Sequence, residues 1–232
     1  MRAKNRKIFL LTLILAAFLT QGSLPNRGFI SLSSGGSGIN SDLYSPIFIA
    51  GPDSFKVTID EIEASSEYTA YINFVNTIVD GSSEEIRGLY ASENFAFHVI
   101  QQPKGQAGFI SNIDGVVTQF SLPENYGVTG LLAHNYLSGR FFSQLKVGDV
   151  IQVVYGDGEI SKYQIAEIQD YQALQPNSPS GPFLNLQSGE LLSSKQLFDR
   201  VYTGSHHLTL QTCIENGSED SWGRLFIIAY PI

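Results

Sequence analysis

Cysteine is almost absent from this chain of 232 residues: there is one, Cys213. A single thiol excludes an internal disulfide and a thiolate metal cage, so the fold rests on packing. The four histidines show no ligand spacing, and neither a metal nor another cofactor is expected. Positive charge is also scarce. Fourteen Lys and Arg face 22 Asp and Glu, a formal net charge of −8. Nucleic acid as the main partner asks for a basic stripe and is set aside. The apolar run at residues 8–19 is about 12 residues, too short to cross a ~30 Å hydrocarbon core comfortably. Gly (22), aromatic and β-branched residues are present in quantity, and nine prolines punctuate them. That composition favours strands and turns over long helices.

Arg2, Lys4, Arg6 and Lys7 precede the apolar run and make residues 1–25 an export segment, a signal peptide or membrane anchor. The expected location is therefore secreted, or on the extracellular face of the membrane. Residues 26–45, centred on Ser33-Ser34-Gly35-Gly36-Ser37-Gly38, read as a flexible tether. Residues 46–94 form an N-terminal appendage, with a strand at 55–59 and a helix over 67–79, where Tyr71, Phe74, Val75 and Ile78 recur at helical spacing. Residues 81–85 read as a loop opening a helix.

From Phe95 to Ile232 strand follows strand. Residues 95–100 are one, with His98 as a structural histidine in its middle. A short hairpin is expected around Asp114-Gly115, and a clear one around Gly156-Asp157-Gly158. Ser193 or Ser194 caps a helix over 195–201. The long connection 171–202 has the length of a functional loop, with 174–192 its irregular part.

The last strand carries the chemistry. Alternation puts Leu208 and Leu210 on one face, and Thr209, Gln211 and Cys213 on the other. A buried structural cysteine would more naturally share the leucine face, so Cys213 reads as a displayed nucleophile. A thiol needs a cation or base beside it to react at neutral pH. Arg224 opens the next apolar run, and a hairpin would return it to Cys213. His134 ends the run 128–134 and is the candidate base. His206 and His207 lie several residues from the Cys213 end of the strand and are discounted.

The chain resembles the sortases, cysteine transpeptidases of the bacterial cell surface. The matching pieces are Thr209-Leu210-Gln211-Thr212-Cys213, Leu132-Ala133-His134-Asn135, Phe142-Ser143-Gln144-Leu145-Lys146-Val147-Gly148-Asp149-Val150-Ile151, and Arg224 with the apolar run after it. Their order and spacing agree across roughly 95–232. The resemblance implies a mainly β fold, a closed barrel of about eight strands with short helices, over 95–232. It implies His134, Cys213 and Arg224 as catalytic residues and 174–192 as a border of the substrate groove. Thr212, beside the nucleophile, is a weaker candidate for positioning substrate. The implied reaction cleaves an LPxTG-like C-terminal sorting signal through a thioester and transfers the acyl group to an amine of cell wall or pilin. Two other readings stay open: a hydrolytic cysteine peptidase on the same scaffold, and a non-catalytic secreted binding module.

Overall fold

A computed structural model describes residues 59–91, 94–178 and 180–232 of the chain. The expected export segment, the tether and most of the strand at 55–59 lie outside the described residues.

Ten strands form one mixed sheet: β1 (Ile86–Ala91), β2 (Phe95–Gln101), β3 (Val116–Phe120), β4 (Thr129–Leu132), β5 (Val150–Tyr155), β6 (Ile160–Ala173), β7 (Phe183–Asn185), β8 (Leu191–Leu192), β9 (Leu208–Asn216) and β10 (Glu219–Pro231). The order is β10-β9-β4-β3-β2-β1-β5-β6-β7-β8, and β10 also pairs with β6. That extra pairing closes eight strands into a barrel and leaves β7 and β8 as a flap on β6. Closure removes the unpaired edges an open sheet of this size would expose. Among the described residues three helices join them: α1 (Ile59–Ile78), α2 (Ser121–Glu124) and α3 (Ser194–Tyr202), with a 3₁₀ segment at Ser138–Gln144. Among the described residues no helix is long and apolar enough to cross a membrane.

The barrel is filled by the inward residues of alternating strands. Phe95, Phe97 and Val99 of β2 point in, and Ala96 and His98 point out. Leu208 and Leu210 of β9 meet Leu225, Ile227 and Ala229 of β10 inside the same core. A second apolar layer lies outside the wall. Leu197, Phe198, Val201 and Tyr202 of α3 pack there with Tyr171, Phe226 and Ile228. Ser193 caps α3 through a capping box with Gln196, as its sequence implies.

Three local expectations are corrected. The segment 81–85 leads into a strand, β1, which precedes the expected barrel start at Phe95 and sits between β2 and β5. Gly88 interrupts the alternation there, which hides the strand. It is the residue that lets α1 approach, since a Cβ would run into the ring of Phe74 and the side chain of Ile78. The helix expected over 67–79 is longer at its start, running Ile59–Ile78. No hairpin forms around Asp114-Gly115: β2 and β3 run parallel, so the chain crosses between them through a loop. The hairpin at 156–158 is present, joining β5 to β6.

Candidate active site

Three neighbouring strands bring the predicted residues together. β9 and β10 are antiparallel, and Cys213 sits directly opposite Arg224. β4 and β9 are parallel, with Leu132 opposite Gln211, and Ala133 N–H continues the ladder to the Gln211 carbonyl at 3.2 Å. His134 follows Leu132 by two residues, as Cys213 follows Gln211. The imidazole, thiol and guanidinium residues therefore come level across three strands. Adjacent strands are about 4.8 Å apart, so the three span only two such steps. They share a face as well. Leu132, Phe226 and Ile228 belong to the outer apolar layer, and alternation carries that side to His134 and Arg224.

That face is covered, which alternation within β9 alone could not reveal. Thr209 Oγ1 donates to the Val201 carbonyl at 2.6 Å, and Tyr202 Oη donates to Gln211 Oε1. The two polar residues before Cys213 thus bind α3 to the wall. Cys213 itself is only 6 % exposed, although it does not share the leucine face.

Arg224 is buried too, at 1 % exposure. Its Nη1 donates to the carbonyls of Ser221 (3.0 Å) and Gly223 (2.8 Å). Those bonds hold the guanidinium against the backbone of its own strand, on the residue paired with Cys213.

Burial sets the resting charge state. It pushes the Cys213 thiol up to about 11; the Arg224 cation and a Ser221 hydrogen bond pull it down, and Asp220 and Glu219 push it further up. Burial also holds the His134 imidazole below its ordinary value, opposed by a hydrogen bond with the Ile110 backbone. Near neutral pH both groups rest uncharged, and the thiolate–imidazolium pair is a minor form.

Thr212, expected to position substrate, faces the other way from Cys213. It is 2 % exposed, and its buried Oγ1 has no hydrogen-bond partner among the described residues. It lies against Gly139 of the 3₁₀ segment. A Cβ at Gly139 would collide with that hydroxyl and come within 2.7 Å of the His134 carbonyl. The same carbonyl accepts from the N–H groups of Leu137 and Gly139, both at 3.0 Å. Gly139→Ala is therefore expected to displace the His134 loop and cost about 1–3 kcal/mol of stability. Chemical denaturation of the variant beside the native chain measures it.

The discounted histidines have structural partners. His206 bonds Tyr163 Oη and the Gly127 carbonyl, and His207 bonds the carbonyls of Ser205 and Val201. One feature had no sequence signal. A cleft of about 590 Å³ opens at the far end of the outer face, between α3, the β7–β8 flap and β10. The part of 174–192 that lines it (Asn185, Gln187, Ser188 and Glu190) meets Ile228 and Tyr230 there, not Cys213.

No protein-family model matches the chain, and no curated protein matches it. Solved sortases do match in structure. The sortase D5 transpeptidase of Clostridium perfringens shares 14 % identity over 75 % of this chain and 94 % of its own, with a TM-score of 0.41. Sortase C of the same species, solved with the C-terminal cell wall sorting motif, shares 14 % over 76 % and 92 %, at 0.40. Sortase E1 of Streptomyces coelicolor, solved with a tripeptide in its active site, shares 17 % over 66 % and 90 %, at 0.40. At these identities and scores the likeness assigns no role to any residue; it says that this chain resembles structures of sortases.

Proposed function

We propose that the chain is a cysteine transpeptidase acting on a C-terminal sorting signal. The observation that carries this reading is the pairing of Cys213 with Arg224 across β9 and β10, with His134 two residues past the β4 position that pairs with Gln211, in a chain whose motifs resemble the sortases. In the first step the Cys213 sulfur attacks the carbonyl carbon of the scissile peptide bond. A C–S bond forms and the C–N bond breaks. The thiol proton passes through His134 to the leaving amine, which departs neutral. Arg224 stabilises the oxyanion of the tetrahedral intermediate. In the second step an incoming amine attacks the thioester and gives its proton to His134. The sulfur leaves and recovers a proton. The product is a new amide, joined to a cell-wall or pilin amine. Export by residues 1–25 would put the enzyme on the side of the membrane where such substrates are displayed.

The test is to incubate the chain with sorting-signal peptides and an oligoglycine amine, then weigh protein and products by mass spectrometry. The expected result is a thioester adduct on Cys213 and a ligated peptide. A free carboxylate in place of the ligated product marks the hydrolytic alternative. No adduct and no product across a broad peptide panel would sink both.

A further inference from the structure

One residue against His134 is not part of the sequence motifs. Tyr136 follows it by two positions. Its ring lies on the imidazole with centroids 5.0 Å apart and planes 20° from parallel. Yet the tyrosine is 54 % exposed, so no apolar core holds it there. What holds it is a set of backbone ties. Arg140 Nη1 donates to the Tyr136 carbonyl at 3.4 Å, and Arg140 is itself gripped by both carboxylate oxygens of Asp114, at 3.1 and 2.8 Å. On the other side Asn135 Nδ2 donates to the Asp220 carbonyl at 3.3 Å. The turn 134–139 is thereby tethered to the β2–β3 loop and to the β9–β10 hairpin. Desolvation first, then Asp220 and Cys213, raise the Tyr136 phenol.

We propose that Tyr136 is a positioning residue, whose ring clamps the imidazole of His134 in one plane beside Cys213 and screens it from water. This rests on reading His134 as the acid and base of the reaction. The hydrogen bond with the Ile110 backbone holds one edge of the imidazole, and the proton relay needs the plane of the ring fixed as well. The stacked ring fixes that plane. The titratable and charged groups on the elements packed about this turn are Cys213 of β9, Asp220 and Arg224 of β10, Asp114 of the β2–β3 loop, Arg140 of the 3₁₀ segment, and Tyr136 itself, which lies on the ring. A substitution at Tyr136 keeps all the others, so a change in how His134 titrates reports the ring.

The experiment is an NMR pH titration of ring-labelled histidine in the full chain, with His134 assigned by its loss in His134→Gln. Thioester formation is followed against pH in the same samples. Tyr136→Phe is expected to reproduce the native titration and rate, because the stack needs no hydroxyl. Tyr136→Leu, which keeps bulk without a flat ring, and Tyr136→Ala are expected to move the His134 titration upward, toward an ordinary imidazole. They are also expected to slow thioester formation about tenfold or more and to shift its pH profile the same way. An His134 titration unmoved in both Leu and Ala variants overturns the proposal, as does a Phe variant that behaves like Ala. If the titration moves as expected while the native chain forms no thioester with any peptide, the clamp stands and the transpeptidase reading fails.

Discussion

Cys213→Ala is expected to abolish thioester formation and to lower ligation by more than about a thousandfold, because no other thiol exists to take over. The same change should barely disturb the fold. A small side chain leaves a small cavity, and the cost is about 1 kcal/mol. The two effects are read separately, ligation by mass spectrometry and stability by thermal unfolding. A variant that stays folded and still ligates at the native rate removes the nucleophile from the mechanism. A non-catalytic binding module predicts that same indifference.

The second large effect concerns pH. With the thiol pushed up to about 11, only about one molecule in ten thousand carries a thiolate at pH 7. Alkylation of Cys213 by iodoacetamide in the absence of substrate should therefore be slow. It should accelerate about tenfold per pH unit, roughly a thousandfold between pH 7 and pH 10. An unperturbed thiol would level off below pH 10. A plateau near pH 8 or 9 would mean that Arg224 outweighs desolvation. The same shift has a stability consequence. The folded thiol ionises later than the unfolded one, so its contribution is complete below about pH 9 and is lost as pH rises through about 11. The loss amounts to roughly 3 kcal/mol. His134 acts on the opposite flank. Its folded value lies below the unfolded one, so its contribution is complete above the ordinary imidazole value and is lost as pH falls below it.

Alternation in β9 sorted Leu208 and Leu210 from Thr209, Gln211 and Cys213 correctly, because a strand's period of two is set by its own backbone. It could not say that both faces would be buried. That depends on α3, whose apolar residues are written elsewhere in the chain and find their partner only in the folded structure. The turn residues at 156–158 announced a hairpin because the two strands are neighbours in sequence. The parallel pairings β2–β3 and β4–β9 left no such mark, since parallel partners are joined by long crossovers. β1 was missed where Gly88 makes room for α1. Of the candidate site, His134, Cys213 and Arg224 were legible as motif residues, and the hairpin that sets Arg224 opposite Cys213 was legible too; the parallel strand that brings His134 alongside was not. Tyr136 carried no signal, because a stack on a histidine two residues away depends on how the turn is tied down.

The strands beneath the site are drawn from distant parts of the chain. β4 lies alongside β9 across an interval from Thr129 to Leu208, and β10 reaches back to β6 to complete the ring. No local fragment contains the sulfur, the imidazole and the guanidinium together. Partly unfolded forms should accordingly be chemically silent: in a urea titration, turnover and tertiary circular dichroism would vanish along one curve.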